Sequence, residues 1–472
     1  MSTVDSVGGG SGAPGEVKEE GPAPSLGLLA ASALVMGSII GTGVFLLPAS
    51  LASFGSISLI AFIFTAIGAI ALAQMFGVLS KRMPADGGPY AYSRAAFGNA
   101  IGFFNAWSYW ITAWAGNAAI VVAWVVYVEV FINTDHRPAY SIAIGVVGLW
   151  LPAAINLSGV KNMASVQIVT TIIKFIPLII ISTVGLFYID WSYITDNFNI
   201  SGMSPIGAIV SAMSLAVFSY LGVETAAVAA GKVKNPRRNV PLASLFGTLA
   251  CTLVYLLSTV VIFGTVPNQD LTADGAQPFT LSFDAMFGGN WAGKAVALAA
   301  IISGLGALNG WTMICAEMPL AAAREGLFPR LFAKISSRGV PHIGIIFSTA
   351  LATLLMVFAY QGAAGADVFN LMVLLSGLTA AVPYAFSALA LIKWSINKDE
   401  RTPETNWVWE MAVAILGLIF SLIIIYGSFT VEGTQIKLIG LSIGVFIVGL
   451  GVYLYMRNKF TTVEPQTTHQ GG

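Results

Sequence analysis

The stretch Gly37-Ser38-Ile39-Ile40-Gly41-Thr42-Gly43-Val44-Phe45-Leu46-Leu47-Pro48 decides how this chain folds. It lies inside the first long apolar segment, which runs from about Leu26 to Ala52. A segment that crosses a bilayer is normally one continuous helix, because lipid offers no partner to free backbone N–H and C=O groups. Three glycines and a threonine within seven residues, with a proline five residues on, make this helix easy to interrupt. A break at mid-membrane depth is tolerated only where the freed backbone faces protein, a ligand or a watery cavity. The same residues have a plainer reading. Gly37 and Gly41 form a GxxxG pair, which often marks nothing more than a close helix contact.

Composition sets the class. The chain has 472 residues, of which 56% are hydrophobic and 9% charged; soluble domains carry roughly 25% charge. Charge this sparse, spread between apolar runs of about 20 residues, predicts an all-α polytopic membrane protein. The formal net charge is zero, so no nucleic-acid partner is expected. Cys251 and Cys315 both fall in apolar segments, where packing rather than a disulfide is the default. His136, His342 and His469 are scattered among loops and tail with no HExxH, CxxC or Walker-type pattern. No metal, cofactor or hydrolytic chemistry is therefore expected.

Twelve spans are predicted: 26–52, 56–80, 97–130, 140–157, 163–189, 206–231, 241–265, 292–322, 342–360, 368–392, 408–428 and 436–456. Residues 1–25, rich in Gly, Ser, Pro and Glu, read as a disordered cytoplasmic tail with no cleavable signal peptide, 26–457 as the transmembrane domain, and 458–472 as a second cytoplasmic tail. The one long connection, Val266 to Trp291, carries Asp270, Asp274 and Asp284. With both termini in the cytoplasm, Arg137, Lys294 and Lys437 lie outside and Lys174 lies within a span. The other eighteen of the 22 Lys and Arg residues are cytoplasmic. A bias this strong supports the predicted spans and their orientation in a plasma membrane, the inner membrane if the cell is Gram-negative.

Five spans after the first comes the sixth, with Phe218-Ser219-Tyr220-Leu221-Gly222-Val223-Glu224-Thr225 near its middle. Interrupted first and sixth spans are what a five-plus-five inverted repeat produces. Where such helices break, the new N-terminal ends expose N–H groups that suit a carboxylate. This pairing favours a functional break at Gly37 to Pro48 over mere helix packing.

Several polar residues lie at membrane depth. Lys174 sits near the centre of the fifth span, where a lysine costs roughly 2.5–3.5 kcal/mol on insertion scales. It reads either as a structural ammonium bonded to backbone carbonyls or as an internal cation in the place of a coupling ion. Glu224 reads as a proton carrier, a counter-charge, an inner-gate hydrogen-bond centre or a structural partner. The amide of Asn117 suits a substrate, or serves as interhelical glue worth about 0.6 kcal/mol. Trp311, after Gly304, Gly306 and Gly310, is an interfacial anchor or a pocket wall. Glu317 is expected to be structural, and Glu129 to be wet at the outer end of the third span.

Gly41-Thr42-Gly43-Val44-Phe45-Leu46-Leu47-Pro48 resembles the first-helix motif of the amino acid–polyamine–organocation transporters. Ser219 to Glu224, with Val228-Ala229-Ala230-Gly231-Lys232-Val233-Lys234-Asn235-Pro236-Arg237-Arg238-Asn239-Val240-Pro241, is similar to the sixth-helix region of their basic amino acid/polyamine antiporter branch. Gly310-Trp311-Thr312 and Arg324-Glu325-Gly326-Leu327-Phe328-Pro329 fit the same branch's eighth helix. Within it the chain most resembles the arginine/agmatine antiporters. They differ in having Trp where this chain has Phe218 and a small apolar residue where it has Lys174.

The resemblance implies a LeuT-type fold of ten core and two peripheral helices. It implies that Ile39, Thr42 and Gly43 hold the substrate's carboxylate and α-amino group. Asn117 and Ile120 line the side-chain end, Trp311 stacks on it and Phe218 caps it. Tyr109, Glu224 and Trp311 belong to the gates, Ser376 is a further contact from the tenth span, and Lys174 stands in for a sodium ion. The implied activity is alternating-access exchange of cationic amino acids or polyamines, with the bilayer, protons and a second copy of the chain as further partners. Proton-coupled uptake of neutral or varied amino acids is the alternative. A channel would need rings of like residues, and a membrane enzyme a nucleophile–base pair, and the chain offers neither.

Overall fold

The computed structural model describes residues 26–41, 43–83, 88–228, 233–360, 365–397 and 406–459. The N-terminal tail, Thr42 and nearly all of the C-terminal tail lie outside them. The described residues are helical, with no strand among them, and the only bridge pairs Leu26 with Val233.

The first half holds α1 (Leu28–Ile39), α2 (Gly43–Ala52), α3 (Ile57–Arg82), α4 (Pro89–Phe97), α5 (Asn99–Val128), α6 (Pro138–Ser158) and α7 (Val160–Thr183). The short α8 (Trp191–Thr195) leads to α9 (Pro205–Ala216), α10 (Thr225–Val228) and α11 (Pro236–Thr265). Two helices, α12 (Asn268–Leu271) and α13 (Pro278–Phe287), precede α14 (Trp291–Arg324), α15 (His342–Ala359), α16 (Gly365–Ile396), α17 (Trp407–Ser428) and α18 (Gln435–Met456). Pro89, Pro138, Pro205, Pro236 and Pro278 each open a helix, where proline's missing N–H costs nothing.

Among the described residues, ten helices are long and apolar enough to cross a membrane, and α1 with α2 forms an eleventh span bent by 50°. The remaining predicted span, the fifth, falls on α7. These helices make the chain a multi-pass membrane protein.

The core is organised around α5, which is buried almost throughout between α14 and α16. Against this centre pack α3 with α11, α1 with α11, and α7 with α14. The last two helices are peripheral, and α18 turns Ile436, Ile447 and Tyr455 outward, as lipid contact requires. At the end of the bundle rich in basic residues, Arg82 pairs with the buried Glu410, and Arg94 Nη1 lies 2.6 Å from Glu325 Oε2.

The long Val266–Trp291 connection is itself helical in part, and its α13 buries Phe279, Ser282 and Phe283 against its neighbours. One expectation needs correction. Glu129 is not wet. It is 4% exposed and bonded by His136 Nδ1 at 2.7 Å, Asn133 Nδ2 at 2.7 Å and Ser141 Oγ. Three polar groups folded over one carboxylate replace its water, which a residue-by-residue hydropathy reading cannot see.

Candidate functional site

The first span breaks where its glycines predicted. Ile40 has extended backbone (φ −78°, ψ 91°), and the chain turns helical again at Gly43. The sixth span breaks at the matching place. After α9 a 3₁₀ turn covers Val217–Tyr220, Leu221 is extended, and Gly222 has φ +104°. Only glycine adopts that conformation without strain. A Cβ on Gly222 would also lie 3.0 Å from the Cβ of Ser38, so the two breaks pack directly against each other.

Breaking α1 leaves carbonyls with no helical donor, a concentration of partial negative charge. Lys174 Nζ donates to the carbonyls of Gly37 at 2.9 Å and Ile40 at 2.7 Å, and Tyr255 donates its hydroxyl to that of Ile39 at 3.0 Å. Lys174 is 1% exposed. This is the structural reading of Lys174, an amine bonded to backbone carbonyls, here at the unwound end of a helix.

Between the breaks lies a cavity of about 20 Å³, room for the centres of one or two waters. The first span contributes Ser38, Ile39, Gly41, Gly43 and Val44, and α5 contributes Thr112, Gly116 and Ile120. Phe218, Ser219 and Leu221 come from the second break, and Trp311 from α14. The lining carries no charged side chain. It offers instead the N-terminal end of α2 at Gly43, carbonyls at the end of α1, two aromatic faces and three hydroxyls. That set suits a zwitterion's carboxylate and ammonium at one end and a cationic side chain on aromatic faces at the other.

Of the predicted binding residues, Ile39, Gly43, Ile120, Phe218 and Trp311 meet at this cavity. Thr42 lies outside the described residues. Phe218 packs edge-to-face on Phe369 with centroids 6.1 Å apart, and its ring occupies the space a Cβ on Gly43 would need. Ser376 stands behind the wall, donating its hydroxyl to the carbonyl of Thr112 at 2.9 Å. Asn117 is also set back, its Nδ2 3.4 Å from Cys315 Sγ and its Oδ1 buried without a hydrogen-bond partner. Ser219 stands in the sixth-span motif beside Phe218. Its hydroxyl, on a residue 4% exposed, has no partner and lines the cavity. An orphaned hydroxyl between two broken helices is the signal a polar residue in a glycine-containing break provides.

Glu224 is 1% exposed and lies where the second break ends. It accepts hydrogen bonds from the hydroxyl of Tyr109 at 2.5 Å and of Tyr384 at 2.8 Å. Tyr109 belongs to α5 and Tyr384 to α16, so one carboxylate fastens the broken sixth span to both central helices. The resemblance pointed to Tyr109 as a residue near Glu224, but nothing in the local sequence of Tyr384 separates it from other aromatic residues of the tenth span.

The profile of the amino acid permease family matches residues 26–452. The chain is 31% identical over 445 residues to the cadaverine/lysine antiporter of Escherichia coli K12, covering 93% of this chain and 95% of that one. It is 33% identical over 439 residues to the putrescine transporter PotE of Haemophilus influenzae, covering 92% and 98%. It is 29% identical over 404 residues to PotE of Escherichia coli K12, covering 85% and 91%. With two interrupted spans meeting at an aromatic-walled cavity, and matches that run nearly end to end, the chain belongs to the amino acid permease family, membrane transporters of the amino acid–polyamine–organocation superfamily.

Proposed function

We propose that this protein is a secondary transporter that exchanges a cationic amino acid for a diamine across the membrane by alternating access. The observation that carries this reading is the cavity itself. It joins the N-terminal end of α2 to the rings of Trp311 and Phe218 with no charged side chain in its lining. At about 20 Å³ the cavity is closed in this conformation; once the breaks part to admit a substrate, its carboxylate meets the helix end and its cation the ring faces, an attraction of about 2 kcal/mol when dry. A diamine lacks the carboxylate but keeps the cation, so it can use the same aromatic faces. The names of the relatives, cadaverine/lysine and putrescine, support this choice of substrates.

Both termini face the cytoplasm in this proposal, which puts the Arg82–Glu410 and Arg94–Glu325 pairs on the cytoplasmic side. The Tyr109–Glu224–Tyr384 cluster is then the cytoplasmic gate. Lys174 favours a second reading, in which a proton accompanies or replaces one partner of the exchange. Its ammonium holds the carbonyls of the break, so loss of its proton would release them.

Counterflow tests both. Proteoliposomes loaded with unlabelled lysine, arginine, cadaverine, putrescine or leucine take up labelled lysine. Acceleration by the cationic amino acids and amines but not by leucine supports exchange. Uptake that ignores the internal load but follows an imposed pH gradient supports proton coupling instead.

A further inference from the structure

A second cavity, about 150 Å³, lies further along α2, between that helix, the segment Leu271–Ala276 and the start of α16. The transport site does not use it. Its side-chain oxygens come from the end of α2, from Thr272 and from the start of α16. Ser50 is on α2 and Ser53 just past its end, and Asp367 and Asn370 are one turn apart on α16. Leu46, Ala49 and Val126 supply apolar wall, and no Lys or Arg lines it. Ser53 donates to the carbonyl of Ser50 at 2.7 Å, and Thr272 to that of Asn268 at 3.1 Å. Two oxygens are left over. The hydroxyl of Ser50, a residue 3% exposed, and the buried Oδ1 of Asn370 have no hydrogen-bond partner. Buried polar atoms without partners are rare enough to need a reason.

We propose that this cavity is an outer subsite for a primary alkylammonium, which binds there before it reaches the transport site. An –NH₃⁺ group has three donors and no acceptor. The exposed Asp367 and the more buried Asn370 and Ser50 bring three acceptor groups to the lining of one cavity, and the apolar wall accommodates the methylenes behind the nitrogen. The two cavities are successive along α2. Gly43 and Val44 line the inner one, and Leu46, Ala49 and Ser50 the outer. A cation held at Ser50 is thus about 10 Å from the helix end at Gly43, at 1.5 Å rise per residue. This inference rests on the reading of the chain as a carrier of cationic amino acids and diamines, and on its orientation.

The test compares lysine and cadaverine kinetics at the two membrane faces, using right-side-out and inside-out proteoliposomes of the full chain. Asp367→Asn, Asn370→Ala and Ser50→Ala are each expected to raise KM at the outer face. The rise is about tenfold for the charged partner and less for the neutral ones. Inner-face KM and kcat stay at the wild-type value, which also shows that the variants fold. If only Asp367→Asn acts, and its effect disappears in high salt, the carboxylate merely steers cations from a distance and the subsite is refuted. Equal KM increases at both faces refute it as well, since they place the loss in the transport site. A wild-type protein that exchanges no cationic substrate refutes the underlying reading instead.

Discussion

The contact that most directly tests the gate is the carboxylate of Glu224 between two tyrosines. Tyr384→Phe removes one hydroxyl donor and leaves the ring in place. The bond it deletes, 2.8 Å long and fully buried, is of the kind worth about 1.5–3 kcal/mol when one partner is charged. Because Tyr384 and Tyr109 hold Glu224 from different helices, the bond can persist only while the sixth span lies against α16. Its loss therefore weakens the closed arrangement and not the open one. About 2 kcal/mol corresponds to roughly a 30-fold shift in that equilibrium. A cysteine at Leu221, on the cavity wall just before Glu224, reports it. The native cysteines, at 0% and 1% exposure, are silent. Maleimide added from the face bearing Lys234 and Arg237 should label Leu221→Cys about 30 times faster when Tyr384→Phe is also present. Tyr109→Phe should act similarly, and a double-mutant cycle should show coupling, since both donors share one acceptor. An unchanged labelling rate in correctly folded Tyr384→Phe would refute the gate, because the bond would then be equally present in both states.

Trp311→Ala should weaken binding of lysine or cadaverine by about 30-fold, the loss of a desolvated cation–π contact; calorimetry on the purified protein measures it, and unchanged affinity removes Trp311 from the site. Lys174→Met should lower the melting temperature, since it strips the donor from two buried carbonyls, each costing about 1–3 kcal/mol, against the relief of a buried charge. It should also flatten the dependence of exchange on pH, and a profile identical to the wild type's would end the coupling role. Gly222→Ala should abolish transport while Gly202→Ala, equally left-handed but with nothing within 4 Å of an added Cβ, should not; equal activities of the two variants would show that the contact between the breaks is dispensable.

The membrane class, the apolar spans and the position of both breaks are legible in the sequence because each follows from local chemistry. Hydropathy over about 20 residues reports on a helix in lipid. Clustered glycines report on backbone freedom wherever they occur, so Gly41, Gly43 and Gly222 marked the breaks without any partner being known. Lys174 was legible as an anomaly for the same reason, since its cost at mid-depth is a property of the bilayer. Trp311 was legible as an interfacial anchor or a pocket wall, and only the family resemblance gave it and Phe218 a place against a substrate.

What the tertiary structure alone decided is who meets whom. Glu224 and its two tyrosines are separated by 115 and 160 residues, and no local pattern connects them. The carbonyls that hold Lys174 lie 134 and 137 residues away, on a helix end that exists only because the first span breaks. Asn117 turns toward Cys315 rather than into the cavity, and Glu129 is enclosed rather than wet, because neighbouring helices supply the environment of a side chain. The sequence determined that this chain spans a membrane and interrupts two of its helices. Which backbone ends face each other, and which polar atoms remain for a ligand, were set by packing.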